Sequence, residues 1–403
     1  MVKVDEQKID EILSRGVDEI FEKESLLKKL QSGKQLRVKF GIDPTGPKIH
    51  IGRAIPFWKL RDFQSLGHKI VLIIGDFTAT IGDASDKQAM RKPLSEKEIK
   101  QNMKDYAKQI GKILDINKVE LRHNSEWFNK MKVKDFVSLQ MLFTAQQTIQ
   151  RRNFKERWNE GKAIGLHELD YPLFQGYDSV MVKADVEVGG SDQLFNLQAG
   201  REVQKFFKQK PQDIMTFKML NGLDGRKMST SWGNIITIVD TPQDMYGKIM
   251  SMKDELIDEY LKLATRFSNE EIEKIKKSSD NPRDIKAKLA KEIVKMYHGE
   301  KEAEVAEEEF NKVFRNKELP TDIPVFEIPK GYPKKNYFIL DLLFDAKLAS
   351  SKNEAKRLVE GKGVEVQTGN RKEKITDWKK EVNLEDGMII KVGSRKFIKI
   401  KIK

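Results

Sequence analysis

The sequence predicts an α/β protein built on a doubly wound parallel sheet, and three features predict it. Residues 36–42 and 69–77 form short runs rich in β-branched and aliphatic side chains, the character of strands covered on both faces. Between them Ile55, Trp58, Phe63 and Leu66 recur near helical spacing, and Gly67 supplies a C-terminal stop. Residues 118–122 and 185–188 read as further strands. Strand–helix–strand alternation places successive strands parallel in one sheet, with helices on its faces.

The remaining stretches differ in character. Residues 126–184 carry few strand signals and read as a helical insertion between two halves of the sheet. Past Thr241 the pattern is helical. Asn281 and Pro282 open one helix, with proline in the first turn, where a missing N–H costs nothing. Ile285, Leu289 and Ile293 form its apolar stripe and Gly299 ends it, while 302–314 continue the helical pattern. Pro320, Pro324, Pro329 and Pro333 all fall within 319–335, and that density predicts a linker without regular structure. The expected division is a first domain over 1–240, a helical domain over 241–318, the linker, and a small separate domain over 336–403.

Composition narrows the class. The 403 residues suit two or three domains, and 38% hydrophobic with 34% charged residues is a soluble, ordered profile. The net charge of +13 attracts polyanions, of which nucleic acid is the commonest, although a uniformly Lys/Glu-rich surface would give the same total. The distribution favours a local site: residues 337–403 hold 16 Lys and Arg against 10 Asp and Glu, so +6 of the +13 lies in about a sixth of the chain. The absence of cysteine excludes disulfides and thiolate-bound zinc. No two of the five histidines have chelating spacing, so no metal site is expected. No apolar run is long enough to span a bilayer, and the first residues lack the apolar segment of a secretory leader. The expected compartment is the cytoplasm.

Two segments carry most of the chemistry. The first is a strand end at Asp43, Pro44 and Thr45, a Pro/Gly loop, and a helix starting near His50. That order suits phosphate, because orphan N–H groups and the helix dipole face the ligand. His50 could donate to phosphate oxygens, and Gly52 leaves room for a flat base. Read alone, the segment equally fits a capped helix start. The second, from Gly225 to Asn234, is a glycine-flanked loop with the cations Arg226 and Lys227 and the hydroxyls Ser229, Thr230 and Ser231. It suits a mobile triphosphate and, alone, also fits an exposed basic turn. Neither a P-loop nor a Gly-x-Gly-x-x-Gly pattern occurs.

Together and in this order, His50-Ile-Gly-Arg53 and Lys227-Met-Ser-Thr-Ser231 resemble the two signatures of class I aminoacyl-tRNA synthetases, whose catalytic domain is Rossmann-like. A third set is similar to the tyrosyl-tRNA synthetase family, in its longer bacterial subgroup: Tyr171, Gln175 and Asp178, followed by Gly189, Gly190, Asp192 and Gln193. Tyr171, Gln175 and Asp178 sit at i, i+4 and i+7 and share one helix face. The resemblance implies that Tyr171, Gln175 and Asp83 hold the substrate ammonium, that Asp178 takes its phenol hydroxyl, and that Gln193 lies near its carboxylate. It implies ATP contacts from Asp43, Gly52, Gly189, Gly190, Asp192, Met228, Ser229 and Ser231. It implies a catalytic set of Thr45, His50, Arg53, Lys87, Arg91, Lys227 and Thr230.

Several positions depart from the family. Arg53 stands for a histidine and Thr230 for a lysine, and Arg226 is a cation that could take that lysine's place. The loop before Lys87 reads Gly82-Asp-Ala-Ser-Asp86, where relatives have a Pro-Ser-Gly pattern. Lys39 stands where some members place a tyrosine that touches the phenol, and it is left outside the predicted site.

The C-terminal region resembles an S4-type RNA-binding domain of α+β class, with two short helices before a small sheet. Lys352, Lys356 and Arg357 fall on one helix surface as candidate RNA contacts, and 398–403 alternate isoleucine with lysine. The whole resemblance implies L-tyrosine, ATP with Mg²⁺, and tRNA(Tyr) as partners, in a homodimer formed through the helical insertion.

Overall fold

The computed structural model describes residues 2–83, 94–228, 232–315, 319, 323–328, 337–369, 371–393 and 396–402. Two compact units, Met1–Ala306 and Glu307–Lys403, divide the chain.

In the first unit β1 (Val17–Phe21), β2 (Arg37–Ile42), β3 (Lys69–Ile74), β4 (Glu120–His123), β5 (Val186–Gly190) and β6 (Asp213–Phe217) form one sheet, in the order β1-β6-β5-β2-β3-β4. Edge strand β1 runs antiparallel to β6, and the other pairs are parallel. This is the doubly wound α/β core that the sequence predicts. Strand β3 is apolar without alternation because both faces are covered: Ile70, Val71, Leu72 and Ile73 are fully buried. Burial of each such side chain contributes about 1.5–3 kcal/mol.

Strand order creates the crevice. From β2 the chain steps through β3 to β4, then returns to the other side of β2 for β5 and β6. The winding reverses between β2 and β5, so the loops leaving their C-terminal ends part in opposite directions. Asp43 follows β2 there, and Gly189 and Gly190 end β5.

Between β4 and β5 the described chain is helical, and its last helix, Leu166–Met181, carries Tyr171, Gln175 and Asp178. A buried ion pair fixes the start of that helix. Arg157 and Glu168 meet at 2.8 Å with both side chains almost wholly buried, and Glu168 also accepts from the Gly165 N–H at 2.8 Å. Burial opposes the charged form of Glu168, yet bonds from Arg157 and the Gly165 N–H hold its carboxyl below the usual value. Arg157→Met strands that charge and should cost about 3–5 kcal/mol of stability. A urea unfolding curve displaced by less than about 1 kcal/mol would show the pair to be dispensable.

Helices after Thr241 pack back onto the Ile51–Ser65 helix. Trp58 Nε1 donates to the Tyr297 hydroxyl at 3.1 Å, and Arg266 pairs with Asp62 at 2.6 Å. The Pro282–His298 helix begins as its sequence predicts, with the Asn281 side chain accepting from Arg283 N and Pro282 in the first turn.

In the second unit β7 (Val325–Ile328), β8 (Tyr337–Phe338), β9 (Val364–Thr368), β10 (Arg371–Ile375), β11 (Glu381–Val382), β12 (Ile389–Val392) and β13 (Lys396–Ile402) appear with the helices Ile339–Asp345 and Lys352–Glu360. Five strands form the sheet β10-β9-β12-β13-β7. Along β13 Ile398 and Ile400 are buried while Lys399 and Lys401 are exposed, which is the period-two pattern read from the sequence; Phe397 is buried beside Ile398. Strand β7 lies inside the stretch expected to be an unstructured linker. It follows Pro324 and occupies the sheet edge, where a flanking proline takes no ladder hydrogen bond away. Among the described residues no helix is long and apolar enough to cross a membrane.

Candidate active site

A cavity of about 270 Å³ opens at the switch point of the sheet. Its wall on the β2 side is built by Asp43, Thr45, His50, Gly52 and Arg53, and on the β5 side by Gly189, Gly190, Asp192 and Gln193. The Leu166–Met181 helix supplies Tyr171, Gln175 and Asp178, and Asp83, Lys227 and Met228 also line it. The structure therefore gathers fifteen sequence-predicted residues around one space. Lys87, Arg91, Ser229, Thr230 and Ser231 lie outside the described residues.

His50 caps the Ile51–Ser65 helix: its Nδ1 accepts from the Arg53 N–H at 3.3 Å. Burial pushes the ring's pKa down to about 3, assisted by Arg53 and Lys227. The ring is therefore neutral at physiological pH, and with Nδ1 used as acceptor its single proton sits on Nε2. It is a fixed donor that carries no charge. A side chain at Gly52 would crowd the Met228 sulfur at 3.1 Å and the His50 ring at 3.2 Å, so glycine lets the second signature pack on the first. Arg53 donates to the Thr45 hydroxyl at 2.6 Å. Lys227 stands 3.6 Å from Asp192 and is about 43% exposed, leaving its ammonium at the solvent side. Arg226 is held by Asp224 at 2.5 Å and lies 4.7 Å over the Trp232 ring; it is not among the lining residues.

The buried end is ordered by hydrogen bonds. The Tyr171 hydroxyl donates to Asp43 Oδ2 at 2.9 Å, and Asp43 Oδ1 accepts from Thr78 at 2.8 Å. Burial, then the charges of Asp43 and Asp83, keep Tyr171 protonated. Gln193 Nε2 donates to Asp83 Oδ2 at 2.7 Å. Asn196 Nδ2 donates to Gln175 Oε1 at 3.1 Å and to Gln193 Oε1 at 2.9 Å, fixing which end of each amide is oxygen. Asp178 is 4% exposed. Its Oδ1 accepts from Trp127 Nε1 at 2.9 Å, and its Oδ2 has a contact of 3.5 Å with Asn124 Nδ2. Burial pushes its carboxyl up to about 7, against the opposing pull of Lys39, Trp127 and Asn124.

Sequence reading missed Trp127, Asn124 and Asn196. Asn196 follows Gln193 by one helical turn, which is the signal that could have found it; Asn124 and Trp127 reach the site from the end of β4 and carry no such signal. Arg151 was also missed: it is buried against the rings of Phe154 and Phe195, 5.1 Å from each centroid.

The family model of class I tRNA synthetases (W and Y) matches residues 31–315. The chain belongs to this family. Over nearly its whole length this class I synthetase is similar to the tyrosine–tRNA ligase of Thermotoga maritima, 45% identical over 394 residues and 96% of each chain. It is 46% identical over 405 residues to that of Carboxydothermus hydrogenoformans, with 97% of each chain covered. A solved tyrosyl-tRNA synthetase of Archaeoglobus fulgidus, in complex with L-tyrosine, shares the fold at a TM-score of 0.59 and 23% identity, covering 75% of this chain and 98% of that one.

In the synthetase's second unit, Lys352, Lys356 and Arg357 all sit on the Lys352–Glu360 helix. Lys352 is exposed and pairs with Asp341 at 2.6 Å, Arg357 is exposed, and Lys356 lies 4.4 Å over the Trp378 ring. They give this helix of the second unit a basic surface.

Proposed function

We infer that this synthetase is a tyrosine–tRNA ligase. It activates L-tyrosine with ATP to tyrosyl-adenylate and pyrophosphate, then transfers tyrosine to the 3′ end of tRNA(Tyr). The observation that carries the reading is a buried carboxylate, Asp178, in the same cavity as a neutral donor histidine and an exposed lysine. A phenol suits the first, and a triphosphate suits the others.

In the first step a tyrosine carboxylate oxygen attacks the α-phosphorus. The bond to the bridging oxygen breaks and pyrophosphate leaves. The nucleophile is already ionised, so no general base is needed, and catalysis comes from alignment and from donors aimed at developing charge. His50 supplies an Nε2–H, and Arg53, Thr45 and Lys227 supply charge and hydroxyl to phosphate oxygens. Lys87, Arg91 and Thr230 are proposed for the pyrophosphate, with Ser229 and Ser231 beside Met228 around the nucleotide. Asp43, Gly52, Gly189, Gly190 and Asp192 receive adenosine. Tyr171, Gln175 and Asp83 hold the ammonium, with Gln193 beside the carboxylate. In the second step a terminal ribose hydroxyl of the tRNA attacks the acyl carbon and AMP departs.

Among the described residues no cluster suits a resident metal. Mg²⁺ is proposed to arrive with the substrate, on the ATP phosphates. The Lys352–Glu360 surface is proposed to contact tRNA phosphates in an S4-like domain, and the helices after Thr241 to face the anticodon side. A homodimer formed through the insertion is supported by Val133, Met141 and Leu166, each about 80% exposed. The proposed compartment is the cytoplasm.

The test is amino-acid-dependent ATP–pyrophosphate exchange without tRNA, run with tyrosine, phenylalanine and tryptophan. Exchange with tyrosine alone is expected. Exchange with tryptophan would move the chain to the other branch of its family, and no exchange from a folded sample would end the enzymatic reading.

A further inference from the structure

Beneath the cavity lies a cluster of charged and polar side chains that takes no part in the chemistry above. Lys39 and Glu187 are register partners on the adjacent central strands β2 and β5, and both side chains are fully buried. Two charges of opposite sign in the middle of a parallel sheet are costly unless every donor and acceptor is used. Here they are used. The Lys39 ammonium has three protons, and it meets Glu187 Oε1 at 2.8 Å, the Gln175 carbonyl at 2.8 Å and the Ser179 hydroxyl at 2.8 Å. Glu187 further accepts from Gln175 Nε2 at 3.1 Å, from Ser179 at 3.0 Å, and from Gln212 Nε2.

Two consequences reach the cavity. Because Glu187 accepts only from the nitrogen of the Gln175 amide, Gln175 Oε1 is turned the other way, to the Asn196 side, as an acceptor. An acceptor is what an ammonium requires. The second consequence concerns Asp178, three residues further along the same helix. Its charge is opposed by burial and by Glu187, and favoured by Lys39 from β2, by Trp127 and by Asn124; Tyr171 faces it from its own helix. Lys39 is the one cation in that set.

We propose that the Lys39–Glu187 pair is the positioning element of the amino-acid site, fixing the amide orientation of Gln175 and standing as a counter-charge behind Asp178. Neither residue lines the cavity, so both act through others. The proposal rests on the reading of Gln175 and Asp178 as ammonium and phenol contacts.

The test compares Lys39→Met, Lys39→Arg, the neutral pair Lys39→Met/Glu187→Gln, and Asp178→Ala in pyrophosphate exchange across pH, with folding checked by thermal unfolding. The neutral pair leaves no unpaired buried charge, so it keeps the test open if Lys39→Met does not fold. KM for tyrosine should rise at least tenfold in Lys39→Met and at least fivefold in the neutral pair, with KM for ATP within twofold. In Lys39→Met the acid limb of kcat/KM for tyrosine should also move to higher pH, and Lys39→Arg should restore part of the loss. A general structural defect would move both KM values together and leave the limb in place. Folded variants with unchanged KM for tyrosine and an unmoved limb would overturn the proposal, while Asp178→Ala still lost discrimination against phenylalanine. If Asp178→Ala kept that discrimination, the underlying reading would fall as well.

Discussion

Asp178→Ala should lower the preference for tyrosine over phenylalanine, expressed as a ratio of kcat/KM values, by at least about 100-fold. The argument starts from hydrogen-bond capacity. Asp178 Oδ1 is occupied by Trp127, whereas Oδ2 has only the 3.5 Å contact to Asn124 and retains acceptor capacity. A phenol hydroxyl can donate there. Phenylalanine would leave a buried acceptor without a partner, a penalty of about 1–3 kcal/mol and more for a charged group. Tyrosyl-tRNA synthetases are themselves the standard illustration, at about 10⁵ against phenylalanine, so the scale comes from the family and not from this structure. A pH signature accompanies the effect. Since burial raises the Asp178 carboxyl to about 7, kcat/KM for tyrosine should fall as pH drops through that region and the acceptor becomes protonated. The variant should lose that limb. An unchanged ratio would move the phenol site elsewhere.

His50→Ala should reduce kcat for adenylate formation by about 10²–10³, the usual effect of removing one preorganised donor to a developing oxyanion. KM for tyrosine should change by less than about threefold, because the ground state of the amino acid does not depend on this donor. Losing the cap costs the helix about 1 kcal/mol as well, so the measurement belongs below the variant's unfolding transition. Burial and the neighbouring cations Arg53 and Lys227 hold His50 neutral, its value down at about 3. Wild-type kcat should therefore show no histidine step near pH 6.5. An equal loss in kcat/KM and in tyrosine affinity would make His50 a structural cap only.

Much of this could be read from the sequence, for physical reasons that differ by element. Strand β3 was legible because burial on both faces forces an apolar run from Ile70 to Ile74, and β2 was legible from Val38, Phe40 and Ile42. The signature residues were legible as a strand, loop and helix start at 43–53 and as a glycine-flanked basic loop at 225–234, and the resemblance of the two together to the family's signatures gave them a use. Lys39 and Glu187 were not legible as a unit. They are 148 positions apart, and only the parallel register of β2 with β5 sets them side by side. A lysine between the apolar Val38 and Phe40 was nevertheless a visible anomaly. Trp127 and Asn124 were hidden for a related reason: they follow β4, and the sheet order brings them beneath the Leu166–Met181 helix. Strand β7 was hidden by its flanking prolines, whose effect depends on whether a strand is central or at an edge. Arg226 looked like a spare phosphate ligand until Asp224 and Trp232 were seen to hold it.

The chain of amides and carboxylates running from Glu187 through Gln175, Asn196 and Gln193 to Asp83 has a bearing on attempts to retool the pocket for another amino acid. Glu187 and Asp83 accept at its two ends, Asn196 Nδ2 gives to both glutamines, and each glutamine takes one bond and gives one, so reversing one amide obliges its neighbours to reverse or go unmet. Substitutions along it will show strong epistasis, and libraries that vary one position at a time will undervalue combinations that work together. Asp178 makes none of this chain's hydrogen bonds and is tied to Gln175 through the helix they share and through the Lys39–Glu187 charges. The side-chain end of a new substrate can therefore be recoded at Asp178, Trp127 and Asn124 while the amine-side network is left intact.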